Sequence, residues 1–116
     1  MTAAQFRRIA LGLDAVTEGS HMGHADFRLN GKIFATLGYP NASCGMVKLT
    51  PWQQHDFAEA YPDVFVPLKG AWGLRGATRV NLPECKATWA REALALSHKG
   101  MLQSPKSRAP RKRSAR

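Results

Sequence analysis

His21, His24 and Asp26 fall within one short stretch and are the side-chain types that hold metal ions or move protons. Their spacing argues against a metal. On one extended segment His21 and His24 point to opposite faces, and no second carboxylate or cysteine is near in sequence. His24 is read as hydrogen-bonding at the start of a strand, and Asp26 as pairing with a nearby base. A second concentration of chemistry lies in residues 64–82, VFVPLKGAWGLRGATRVNL, where Gly70, Gly73 and Gly76 punctuate a loop carrying Trp72 and Arg75. Glycines at that density imply backbone with positive φ or the close approach of another surface, and either would hold Trp72 in a set place. The spacing to a lysine and a serine or threonine that makes a phosphate loop is lacking. With no nucleophile beside a base and no carboxylate pair, no catalytic residue, metal or cofactor is expected, and the chain reads as a binding protein.

The charge says what it would bind. Of the formal net charge of +9, six charges sit in residues 104–116, SPKSRAPRKRSAR, without one acid, which leaves an ordinary +3 for the rest. A Pro-, Ser-, Lys- and Arg-rich segment cannot bury enough apolar surface to fold, so the chain divides into a domain over residues 1–102 and a disordered basic tail over residues 103–116. Lys106, Arg108, Arg111, Lys112 and Arg113 in the tail are candidate contacts to a polyanion. In the domain the candidates are Arg28 and Lys32 near the tip of one hairpin, and Lys69, Arg75 and Arg79 around another. Trp72 has two readings, a platform on which a base stacks or an aromatic that locks its loop onto the core.

The elements that place these residues follow from caps, turns and periodicity. Thr2 with Gln5 forms a capping box, and Phe6, Ile9, Ala10 and Leu13 recur at helical spacing. Asn30-Gly31, between strand-like runs, asks for a two-residue hairpin. That turn sets Leu29 opposite Lys32 and Phe27 opposite Phe34, placing Arg28, Ile33, Ala35 and Leu37 on the other face. Either a bulge shifts this register, or Ile33, Ala35 and Leu37 form an apolar outer face for a protein partner or a second copy of the chain. Residues 45–49 make a third strand. Thr50, Pro51 and Gln53 start a second helix that stops near Tyr61 because Pro62 follows. Residues 64–82 supply two strands, and Pro83 is expected to start a third helix with Cys85, Trp89, Ala93 and Leu96 along one side and Gly100 as its cap. Trp52 and Trp89 are read as packing residues. The order is helix, three strands, helix, two strands, helix, an α+β fold with helices packed on a face of one antiparallel sheet.

With the order in hand, residues 19–24 with Phe27-Arg28, then Gly31-Lys32-Ile33-Phe34-Ala35, then Val47-Lys48-Leu49-Thr50-Pro51, then Gly70-Ala71-Trp72-Gly73 resemble the MmcQ/YjbR family of small bacterial proteins. The resemblance spans about residues 5 to 99. It implies the same α+β order in a family described as DNA-binding through a double-wing arrangement of hairpins, so the expected partner is DNA. No apolar run reaches the roughly 20 residues of a membrane span, and the start lacks the pattern of a signal peptide, so a cytoplasmic location is expected. Cys44 and Cys85, with no CxxC spacing, are expected to be reduced and partly buried.

Overall fold

A computed structural model describes residues 1–102. The tail residues Lys106, Arg108, Arg111, Lys112 and Arg113 lie outside the described residues. Helix α1 (Ala3–Leu11) opens on the Thr2–Gln5 capping box. It is followed by strands β1 (Thr17–His21), β2 (His24–Leu29), β3 (Lys32–Leu37) and β4 (Cys44–Lys48), helix α2 (Pro51–Ala60), β5 (Phe65–Pro67), a short helix α3 (Gly70–Leu74), β6 (Ala77–Asn81) and helix α4 (Ala87–Leu102). The six strands form one sheet in the order β1-β2-β3-β4-β6-β5, with every neighbouring pair antiparallel. Helices α1 and α4 pack on each other and on one face of it, making an α+β fold. No helix among the described residues is long and apolar enough to cross a membrane.

The core is aromatic and lies between the sheet and the helices. Phe6, Phe27, Phe34 and Phe65 are fully buried together with Leu94 and Val47, and Phe57 meets Phe65 edge-on with ring centroids 4.8 Å apart. Tyr61 stacks on Trp89 at 4.2 Å, with Lys86 over the same indole. Trp89 is thus a packing residue as expected. Trp52 is not: it is 80% exposed, because α2 turns Gln54 and Phe57 inward instead.

Four features depart from the sequence reading for local reasons, and the first is the short helix α3 (Gly70–Leu74) inside what reads as a glycine loop, too short to show a helical period. Strand β1 pairs with β2 through a turn at Met22-Gly23, both at positive φ, the same geometry as Asn30-Gly31. A methionine is an uncommon residue for that conformation, so the sequence carries no hairpin signal there. Pro83 sits in a 3-10 turn (Leu82–Glu84), and extended backbone at Cys85 delays α4 until Ala87. Gly100 lies inside α4 and does not cap it. Burial of Leu94, Ser97 and His98, with His98 Nε2 donating to the Asp14 carbonyl at 2.7 Å, outweighs the roughly 1 kcal/mol that a helical glycine costs.

The register of β2 and β3 decides the faces of the sheet. Arg28 pairs with Ile33, but a bulge between Phe27 and Arg28 moves the next pair to Phe27–Ala35. Phe27, Leu29, Phe34, Ala35 and Leu37 all enter the core as a result. The apolar outer face of Ile33, Ala35 and Leu37 therefore does not exist, since Ala35 and Leu37 are buried.

Gly73 and Gly76 are sites of close approach. A Cβ on Gly73 would lie 1.6 Å from the Leu68 carbonyl oxygen, and one on Gly76, at φ +113°, 1.7 Å from that of Leu49. Gln54, buried on α2, clamps the same segment by donating to the Gly73 and Ala77 carbonyls at 2.9 and 3.0 Å. Gly73→Ala should thus lower stability by about 3 kcal/mol or more in denaturant melts, since backbone must move. Gly100→Ala, with open space around its Cβ position, should raise stability by up to about 1 kcal/mol.

Candidate functional site

Three polar side chains, Asp26, Thr36 and Arg79, stand in one row across the face of the sheet opposite the core. Gly19, Asp26, Thr36, Met46, Arg79 and Val66 are successive cross-strand partners from β1 to β5. Strand alternation turns them away from Phe27, Ala35, Val47, Val80 and Phe65, which enter the core. The β2 bulge puts Thr36 in this row beside Asp26.

Asp26 anchors the row at one end. Its carboxylate is fully buried and accepts from Arg28 Nε at 2.7 Å, Arg28 Nη2 at 3.0 Å and His21 Nδ1 at 2.8 Å. The guanidinium of Arg28 holds this carboxyl below its ordinary range, against the opposing effect of burial and with help from His21. Arg28 is held correspondingly above its own usual value by the carboxylate. An ionised carboxylate only accepts, so Nδ1 of His21 bears the proton and Nε2 is the nitrogen open to a further partner. Gly19 lies beneath the pair: a Cβ there would meet Arg28 Nε and Asp26 Oδ1, each at 3.1 Å. The sequence reading of opposite-facing histidines is corrected by the Met22-Gly23 turn, which makes His21 and His24 cross-strand partners. Both line a cavity of about 360 Å³ with Met22, Thr36, Tyr39 and Trp72. His24 meets Tyr39 edge-on at 5.9 Å, and Tyr39 lies 6.4 Å from Trp72. Among the described residues, no three His, Cys, Asp or Glu side chains converge as a metal would require.

A second hollow of about 460 Å³ shares Tyr39 and Trp72 with the first and adds Lys69 and Arg79. Of the residues expected to touch DNA, Lys69, Trp72 and Arg79 are thus gathered here. Trp72 is carried on α3 and is 38% exposed. Tyr39 drew no attention in the sequence, because the loop around Pro40 offers no periodicity to place it.

The remaining basic residues meet elsewhere. Strand pairing puts the Asn30-Gly31 turn, the end of β4 and the α3 segment at one end of the sheet. There Lys32, Lys48 and Arg75 line a hollow of about 330 Å³ together with Thr50, Gln53, Ser97, Gly100 and Met101, with no acid in its lining. Arg28 is not part of it, being engaged with Asp26. Lys48 is the residue that sequence reasoning missed. Its position as the last residue of β4, level with Ala77 on β6, emerges only from the pairing.

No family model matches the chain, and no curated protein matches it in sequence. Among solved structures, the chain is similar to the Deinococcus radiodurans protein DR2400, whose domain is described as DUF419. The likeness covers 89% of this chain and 80% of that one, at 15% identity and a TM-score of 0.75. Two chains so far apart in sequence share the fold.

Asp26→Asn keeps the shape of the carboxylate and removes its charge, and should cost about 2–3 kcal/mol through weakened hydrogen bonds to charged groups. A carboxyl whose folded pKa is lowered contributes stability above its unfolded value, and loses that contribution as pH falls through the folded value. Melting curves of the wild-type and Asp26→Asn proteins should accordingly differ near neutrality and converge below the ordinary carboxylate range.

Proposed function

We propose that this chain binds DNA, using the end of the sheet where the Asn30-Gly31 hairpin and the β5–β6 connection lie on either side of the start of α2. The observation that carries the proposal is the convergence of Lys32, Lys48 and Arg75 on one acid-free hollow whose lining includes Gly100 and Met101 near the end of α4. The basic segment of residues 104–116 follows directly in the sequence. Cations on two hairpins and a basic segment that follows α4 in sequence suit a phosphate backbone, which rewards the number of cations more than their individual geometry. Trp52, exposed between the lining residues Pro51 and Gln53, offers an aromatic face at the same end.

The four sequence blocks that resemble MmcQ/YjbR proteins, joined to the fold shared with the DUF419 domain of DR2400, support placing the chain near that family and its double-wing mode of binding. The roles of the two clusters differ. Lys32, Lys48 and Arg75 supply shaped contact, and the tail supplies long-range attraction that weakens with salt.

Duplex binding measured by fluorescence anisotropy over a range of salt tests this reading. Each phosphate contact contributes about 0.9 to the slope of log K against log salt. Lys32→Ala and Arg75→Ala should each flatten the slope by about that amount without altering the melting temperature, and replacing the six basic tail residues by Gln should flatten it by about 5. Full affinity in a protein lacking Lys32, Lys48 and Arg75 together would remove the hairpin end from the interface.

A further inference from the structure

Among the described residues, the row across the outer face holds two polar atoms without hydrogen-bond partners. Thr36 Oγ1 and Arg79 Nε are buried and find no hydrogen-bond partner among the described residues, and they flank Met46 as its neighbours on β3 and β6. Thr36 as a whole is 3% exposed. An unsatisfied buried donor or acceptor is costly, and native structures hold few of them. Here both occur in one row, and each belongs to a residue that lines a cavity: Thr36 lines the hollow with His21, His24, Tyr39 and Trp72, and Arg79 lines the adjoining one with Lys69. Tyr39 and Trp72 belong to both walls.

From this we infer a small-molecule site on the outer face, separate from the DNA-binding end, that takes a planar aromatic ring bearing an anionic group. The chemistry of each atom sets a requirement. Arg79 Nε can only donate, so the ligand presents an acceptor there, and the Lys69 ammonium in the same hollow favours one with negative charge. Thr36 Oγ1 either donates or accepts, and His21 offers Nε2 with its ring fixed by Asp26. Tyr39, Trp72 and His24 present aromatic edges and faces suited to a flat ring. The two hollows, of about 360 and 460 Å³, have the size of ordinary small-molecule sites. A nucleoside monophosphate and an aromatic carboxylate share this chemistry.

The test titrates the full chain with AMP and, separately, with indole-3-acetate by calorimetry, using adenosine and inorganic phosphate as the divided halves of the first probe. Saturable binding of at least one intact probe is expected, stronger than that of either half. The identity of the probe bound distinguishes the nucleotide from the carboxylate. Thr36→Val is close to isosteric and removes the unpaired hydroxyl. It should raise the melting temperature while weakening the probe, whereas a residue with a merely structural role would leave binding unmoved. Arg79→Met should weaken binding by about tenfold, the equivalent of one hydrogen bond to a charged group. Lys32→Ala serves as the control and should bind the probe as the unaltered protein does, so that failure of the DNA reading and failure of this one are told apart. Absence of binding by both probes at millimolar concentration, or unchanged affinity in either Thr36→Val or Arg79→Met, would overturn the inference.

Discussion

The bulge opposite Phe27 and Arg28 is the constraint on which both faces of the sheet depend. A regular ladder running back from the Asn30-Gly31 turn would pair Phe27 with Phe34 and leave Ala35 and Leu37 on the far side. The shift to Phe27–Ala35 lets Phe34, Ala35 and Leu37 all reach the core. One extra residue in β3 thereby converts an apolar outer face into a polar one. Thr36 comes level with Asp26, and the row from Gly19 to Val66 is complete. Had the ladder stayed regular, the protein would expose a patch suited to self-association, and the outer-face cavities would lose Thr36 from their wall.

Charge is divided in the same way as shape. On the outer face two cations are neutralised or partly enclosed: Arg28 is tied to Asp26, and the Arg79 Nε is buried. Fixed, partly desolvated groups of this kind favour one ligand geometry over others. At the hairpin end Lys32, Lys48 and Arg75 have no acid in the lining they share, an arrangement that tolerates any sequence of phosphates. Glycine contacts hold the second region in place. Gly73 against Leu68 and Gly76 against Leu49, with Gln54 clasping the segment from α2, fix α3 so that Trp72 faces the outer hollow and Arg75 the basic end.

Features legible in the sequence are those with local chemistry. Both capping boxes, the Asn30-Gly31 hairpin and the end of α2 at Tyr61 stand where caps and turns place them. The glycine density signals positive φ or close approach, and both occur, the first at Gly70 and Gly76 and the second at Gly73 and Gly76, but five residues are too few to show the period of a helix. Other features need the partner strand to be known. Strand β1 hides behind a methionine at positive φ, so two histidines assigned to opposite faces stand on the same one. Trp52 looked like a core residue by type and is exposed, since helix phase is set by what Gln54 and Phe57 contact. The pairing of Thr36 with Arg79 across Met46 links strands far apart in sequence and has no local signature at all.

The proposed division of labour between the two regions is tested most directly by mapping backbone amide chemical shifts of the full chain as duplex DNA is added. Perturbations are expected at Lys32, Lys48, Thr50, Arg75 and the residues that follow Met101, with the amides of Asp26, Thr36, Tyr39 and Arg79 unmoved. Perturbations centred on the outer face, with the hairpin end silent, would contradict it.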